Sequence, residues 1–185
     1  MPAPNAQGPS STRKKDDVMK KPLVAVLKVT PSGVLADIER LCQLAGMNTA
    51  LSAGVGTILK DNISWHYPFP GANTTPWQLE GTVLALQHAG FDQLACVQNE
   101  TVVTDAEMGE INNHYVPIPK RHSVPILYNF EPAHMRWVPY RPKATLRVLG
   151  RIFPDGVPVP DYFFGKNIVH LPTAKCHVTR PPPAR

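Results

Sequence analysis

Residues 59–78 read "LKDNISWHYPFPGANTTPWQ", and the pattern predicts that one element ends at the start of this segment and another begins at its end. The apolar run that precedes it, "GVGTIL" at 54–59, predicts a strand that ends at Lys60. At the other end, Thr75 stands at a helix N-cap position, Pro76 at the first helical position and Gln78 at the third. The pattern therefore predicts a strand, a crossover loop and a helix.

The middle of this stretch is unusually rich in aromatic side chains, which are Trp65, Tyr67, Phe69 and Trp77. Such residues most often fix a loop onto the domain by packing their rings against it, and we expect that role here. The alternative is that they stack on the ring of a ligand.

Before and after this strand, loop and helix, the sequence has further apolar runs of strand length and further apolar residues at helical spacing. A helix is expected from Val34 to a stop at Gly46, and the helix from Pro76 is expected to stop at Gly90. A shorter helix is expected at 105–114. Further strands are expected at 23–29 (covered on both faces), 91–99, 124–130 and 167–171. Alternating strands and helices predict an α/β fold with a mostly parallel sheet and flanking helices.

Proline is unusually frequent, with 21 among 185 residues, and this predicts long irregular loops. The longest is expected at 131–164, with one helical turn near Leu146. Residues 1–21 are expected to form a disordered basic arm, 22–178 one α/β domain and 179–185 a Pro-rich tail.

The formal net charge of +5 is concentrated near the two ends of the chain. Without a basic face that also carries aromatic residues, this favours solvated ends and predicts no nucleic-acid partner. There is no apolar signal segment and no run long enough to cross a membrane, so we expect a cytoplasmic protein without a membrane partner. The three cysteines are far apart, which argues against a disulfide framework or a self-contained metal site.

Polar residues follow four of the expected strands, and in a parallel sheet these positions share one edge. Together with the start of the helix at Pro76, whose positive end favours anions, they predict a pocket for a small anionic molecule. The expected ligand-binding residues are Lys60, Asn62, Thr74, Thr75, Asn99, Lys175 and His177.

Lys60 and Lys175 would hold the anion as point charges, or serve as a base where the pKa is lowered. Cys176 and His177 are the candidate metal ligands, although neighbours on an extended chain point to opposite faces. The imidazole of His170, which lies inside an apolar strand, is expected in the core.

The order of these segments resembles the prokaryotic family known as domain of unknown function 362. The shared features are a lysine and asparagine at a strand end, the "NTTP" helix cap and the "LPTAKCH" strand end, and the resemblance covers roughly residues 22–177. This chain has Asp61 where that family usually has proline. The resemblance implies an α/β domain that is sometimes joined to a ferredoxin-like module. The family continues beyond the segment matched by "KCH", so the resemblance also implies a C-terminally truncated member with an incomplete sheet.

Three functions follow as hypotheses. The first is a domain of enzyme type that binds a small anionic ligand or cofactor at the carboxyl edge of the sheet. The second is a metal-associated redox accessory protein with an iron–sulfur protein as its partner, and the third is an inactive truncated fragment. The sequence specifies neither a cofactor nor a reaction.

Overall fold

The computed structural model describes residues 23–101 and 103–175. The expected arm at 1–21, the tail at 179–185 and the pair Cys176–His177 lie outside the described residues. The helices are α1 (Val34–Leu44), α2 (Met47–Ala50), α3 (Pro76–His88), α4 (Ala106–Asn112), α5 (Pro117–His122) and α6 (Leu149–Ile152), and a 3₁₀ turn covers Asp161–Phe163. The strands are β1 (Thr57–Asp61), β2 (Leu94–Gln98), β3 (Ile126–Tyr128), β4 (Trp137–Tyr140), β5 (Val157–Pro160) and β6 (Asn167–Leu171).

The main sheet has four parallel strands in the order β3-β2-β1-β6. Every residue of β2 is buried, as is every residue of β1 except the half-buried Lys60. This burial explains why both strands are nearly continuous apolar runs rather than alternating ones. The predicted α/β fold with a mostly parallel sheet is therefore confirmed.

The predicted capping of α3 is also confirmed. The Thr75 hydroxyl accepts a hydrogen bond from the Gln78 N–H at 3.3 Å, and Pro76 occupies the first helical position. Leu79, Val83 and Leu86 are buried in the larger apolar cluster, which contains Leu59 of β1 and Cys96 of β2. These contacts fix α3 on one face of the sheet.

Helix α1 packs closely on α3 because Gly81 has no side chain. A Cβ atom at Gly81 would lie 2.9 Å from both Cβ and Cδ1 of Ile38, which is buried in α1. We therefore expect Gly81→Val to lower the free energy of unfolding by about 1–3 kcal/mol through overpacking. Urea unfolding measures the loss, and Gly71→Val is the control because Gly71 is exposed with no heavy atom within 4 Å of its Cβ position. Equal losses for the two variants would contradict this packing.

The opposite face of the sheet is covered by the proline-rich segment 131–164. Met135, Tyr162 and Phe163 pack against Ile58 and Val97 there. The prediction of one long loop was incomplete, because β4 and β5 pair as an antiparallel hairpin within it. A two-stranded ribbon has only edge strands, and edge strands can contain prolines. The helical turn expected near Leu146 is α6, slightly later in the chain.

The first predicted strand, at 23–29, is wrong. These residues are irregular, and Leu23, Val24 and Val26 are 72%, 78% and 86% exposed. An apolar run has the composition of a strand, but it becomes one only when another strand supplies the hydrogen bonds of the ladder.

The prediction of a core position for His170 is also wrong, because its side chain is exposed. Strand β6 lies at one end of the four-stranded sheet, and its residues alternate in burial. Val169 and Leu171 pack into the larger apolar cluster, so His170 and Ile168 are directed to the other, less covered face.

Candidate functional site

The carboxyl ends of the four parallel strands form a polar layer on the α3 side of the sheet. The strand registers place Asp61 beside Leu171 and Gln98 beside Tyr128. Gln98 Nε2 donates a hydrogen bond to Asp61 Oδ2 at 2.7 Å, which joins the ends of β1 and β2. Parallel strands bring these side chains together although they are far apart in the sequence.

Two carboxyl groups are buried in this layer, those of Asp61 and Glu110. Asp61 is fully buried and Glu110, on α4, is 3% exposed. Among the described residues, one oxygen of each, Asp61 Oδ1 and Glu110 Oε1, is buried without a hydrogen-bond partner. Such groups are rare in folded proteins, and each one calls for an explanation.

Burial changes the acidity of both groups. It raises the pKa of Asp61 although the nearby ammonium of Lys60 acts in the opposite direction. Burial also raises the pKa of Glu110 to about 7, against the lowering effect of the hydrogen bond that the Tyr128 hydroxyl donates to Glu110 Oε2 at 3.0 Å. Glu110 therefore exchanges its proton near neutral pH, where a general acid or base is most effective.

The aromatic-rich loop between β1 and α3 is held by the side chain of Asn73, which is fully buried. Asn73 Oδ1 accepts hydrogen bonds from the N–H groups of Ser64 and Trp65, at 2.8 and 3.2 Å. Its Nδ2 donates to the carbonyl oxygens of Trp65 and Tyr67 and to Oδ1 of Asn113, at 2.8–2.9 Å. One amide thus fixes both the loop and its position relative to α4.

The aromatic residues that were predicted to fix this loop are only half-buried. Trp65, Tyr67, Phe69 and Trp77 are 46–53% exposed. The rings of Trp65, Tyr67 and Phe69 lie within 6.4 Å of one another, measured between their centroids. They form a half-exposed aromatic cluster, while polar bonds made by Asn73 anchor the backbone beneath it.

Thr74 and Thr75, two of the expected ligand-binding residues, use their hydroxyls within the protein. Thr74 Oγ1 donates to the Leu171 carbonyl at 2.5 Å and accepts from the Asn62 N–H at 2.7 Å, so it links the ends of β1 and β6. The Tyr115 hydroxyl donates to the Thr74 carbonyl. Thr75 caps α3, as described above. Both threonines shape the edge of the sheet.

Asn62 and Lys175 lie together at the ends of β1 and β6. Lys175 Nζ donates to the Ala72 carbonyl at 2.5 Å, and Asn62 Nδ2 donates to the same oxygen at 2.9 Å. Thr173 Oγ1 also reaches this loop and donates to the Asn73 carbonyl at 2.7 Å. The structure thus brings the predicted pair Asn62 and Lys175 to one place.

Lys60 and Asn99 lie apart from that pair. Lys60 precedes Asp61 on β1, so the two side chains point to opposite faces of the sheet. Lys60 Nζ donates a hydrogen bond to the Asp61 carbonyl at 2.6 Å. Burial lowers the pKa of Lys60, against the raising effect of the Asp61 carboxylate. Asn99 is half-buried after the end of β2, and β1 separates β2 from β6.

The residues expected from the sequence to bind the ligand did not include Asp61, Gln98, Glu110 or Asn113. The available signal was helical spacing, because Glu110 and Asn113 stand three residues apart and share one face of the 105–114 helix with Ala106. A polar side chain on the apolar face of a short helix indicates a buried polar layer.

The hypothesis of a metal site concerned Cys176 and His177, which lie outside the described residues, so it stays a prediction. For Cys42 and Cys96, burial raises the pKa of the thiol. Metal ions bind the thiolate, so a raised pKa makes these two residues poor ligands. No group of three or more His, Cys, Asp or Glu side chains in residues 23–101 and 103–175 could hold a metal ion.

Comparison of the chain with models of protein families, with curated proteins and with solved structures finds no match. The resemblance to the domain of unknown function 362 family therefore stays a prediction based on its motifs. Among the helices of the described residues, none is long and apolar enough to cross a membrane.

Proposed function

We propose that the chain is a ligand-binding α/β domain of enzyme type, which binds a small anionic molecule between the carboxyl ends of β1 and β6. The observation that carries this proposal is the strand order. From β1 the chain moves to β2 and then to β3 on one side, whereas β6 lies on the other side of β1. In open parallel sheets, ligands bind at the carboxyl edge where the order reverses in this way.

The charge at this crevice supports an anion. Lys175 is exposed, and its ammonium group has three donors. One of them is used by the Ala72 carbonyl, which leaves two for a ligand. Helix α3 begins at the same edge, and its positive N-terminal end also favours negative charge.

Two titratable side chains near the carboxyl edge, those of Glu110 and Lys60, are suited to proton transfer. Glu110, with a pKa of about 7, is suited to accept or donate a proton at neutral pH. Burial lowers the pKa of Lys60, which favours the neutral amine that a base requires. The reaction that these groups would serve is left open.

We expect Lys175→Ala to weaken the binding of a phosphate or small carboxylate by about tenfold, because one charge-assisted hydrogen bond contributes about 1.5 kcal/mol or more. A first screen measures the melting temperature of the native protein with each anion. An anion that binds should raise it, because a ligand at a hundred times its Kd stabilises the native state by about 2.7 kcal/mol. Titration calorimetry then compares the variant with the native protein.

Lys120→Ala is the matched control, because Lys120 is an exposed lysine in α5, which leads into the amino end of β3 at the opposite edge of the sheet. It should bind the anion as the native protein does. Equal weakening in both variants would indicate general attraction to a basic protein and would overturn the proposed site. The same would follow if no anion in a panel of phosphates and carboxylates shifted the melting temperature.

A further inference from the structure

Three half-exposed rings, those of Trp65, Tyr67 and Phe69, make up the aromatic cluster on the loop between β1 and α3. They are 51%, 50% and 53% exposed, and the distances between their ring centroids are 5.9–6.4 Å. The buried amide of Asn73 holds the loop backbone beneath them, so the rings are presented in a fixed arrangement. A contiguous exposed apolar patch of this kind marks an interaction surface.

The chain returns to this loop after β6. Thr173 Oγ1 donates a hydrogen bond to the Asn73 carbonyl at 2.7 Å, and Lys175 Nζ donates to the Ala72 carbonyl at 2.5 Å. The N–H of Ala72 in turn donates to the Phe69 carbonyl at 2.8 Å. Lys175, the last described residue, therefore contacts the segment of the loop that carries the aromatic cluster.

The sequence continues beyond Lys175 as "CHVTRPPPAR", which lies outside the described residues and has three consecutive prolines at 181–183. Consecutive prolines favour the extended polyproline II conformation, and proteins bind such segments on surfaces lined by aromatic rings. An extended chain spans at most about 3.3–3.6 Å per residue, so the six residues 176–181 reach up to about 20 Å from Lys175. This reach exceeds the spacing of the three rings.

We propose that the prolines at 181–183 of this chain pack on the aromatic cluster and cover the exposed faces of its rings. Proline rings are flat and apolar and match the faces of aromatic rings, and the flanking Arg180 and Arg185 can stack on the same faces through their guanidinium groups. The chain's own prolines are favoured over those of another molecule, because a short tether gives an effective concentration on the order of millimolar. The packing does not depend on the proposed anion site.

The fluorescence of Trp65 in the full chain tests this packing. The protein has three tryptophans, so the substitutions Trp77→Phe and Trp137→Phe leave Trp65 as the only one. Quenching of its fluorescence by acrylamide then measures how accessible this ring is. The buffer contains neither phosphate nor carboxylate, so that the result does not depend on the anion site. Circular dichroism checks that each variant keeps the fold.

Replacing the prolines at 181–183 with alanine in this single-tryptophan chain should raise the quenching constant about twofold, because a ring with one face covered keeps about half of its surface accessible. The matched control changes another three prolines outside the described residues, near the start of the chain, and should leave the constant unchanged. Its substitutions are Pro2→Ala, Pro4→Ala and Pro9→Ala. In the native chain, nuclear Overhauser contacts between protons of the prolines at 181–183 and the ring of Trp65 give a second measurement that needs no substitution.

Three results would overturn the proposal. The first is a quenching constant that does not change when the prolines at 181–183 are replaced, together with no Overhauser contacts in the native chain. The second is an equal rise in the control variant. The third is a quenching constant that rises when the single-tryptophan chain is diluted, since this would show that the rings are covered by another copy of the chain.

Discussion

Replacing Asn73 with alanine is expected to lower the free energy of unfolding by about 3–5 kcal/mol. The fully buried amide oxygen accepts two hydrogen bonds, and the two N–H bonds of its Nδ2 are shared among three oxygen atoms. Alanine would leave the carbonyls of Trp65 and Tyr67 and the Asn113 side chain without these partners. Buried polar groups without partners are among the few causes of losses this large. Urea unfolding of the variant measures the effect.

Asn112→Ala is the control for this prediction. Asn112 contacts the same loop with a single side-chain hydrogen bond, from its Nδ2 to the His66 carbonyl at 2.8 Å. Its loss should cost about 1 kcal/mol. If Asn73→Ala cost no more than Asn112→Ala, the loop would be held by something other than this amide.

Glu110 is expected to make stability depend on pH. Its pKa rises from 4.5, the ordinary value, to about 7 in the folded protein. The folded state therefore binds this proton more tightly than the unfolded state does, so the contribution is complete at acidic pH and is lost as the pH rises through 7. Integrated from pH 4 to pH 8, the loss from this one group is about 3 kcal/mol.

Glu110→Gln removes the titrating group and keeps the shape of the side chain. The difference in unfolding free energy between pH 4 and pH 8 should therefore be smaller in the variant by about 3 kcal/mol, measured by urea unfolding at each pH. Glu131→Gln, which changes an exposed glutamate, should keep the dependence of the native protein. An unchanged dependence in Glu110→Gln would show that this carboxyl group is ionised in the folded state at neutral pH.

Local signals in the sequence predicted the elements that position the site. The cap at Thr75 and Pro76 fixed the start of α3, and the apolar run 167–171 predicted β6 with the bounds that the structure has. Both signals depend only on neighbouring residues. The strand predicted at 23–29 failed because pairing depends on a second segment, which local composition does not specify.

The site could be predicted only in part, for the same reason. The edge position of Asn62 and Lys175 followed from where their strands end. Thr74, in contrast, was interpreted as a ligand-binding residue, but its hydroxyl binds the Asn62 N–H and the carbonyl of Leu171, which is 97 positions further along the chain than Thr74. Burial of Glu110 likewise depends on partners outside its own helix, such as Tyr128 of β3, and no motif records it.

We propose that an anion binds between the carboxyl ends of β1 and β6. Titration of the isotopically labelled protein with inorganic phosphate, followed by amide chemical shifts, tests this binding site residue by residue. We predict saturable shifts that cluster at Asn62, Trp77 and Lys175, with Lys120 at the opposite edge unaffected. Shifts that do not saturate, or that spread over exposed lysines at both edges of the sheet, would contradict the claim.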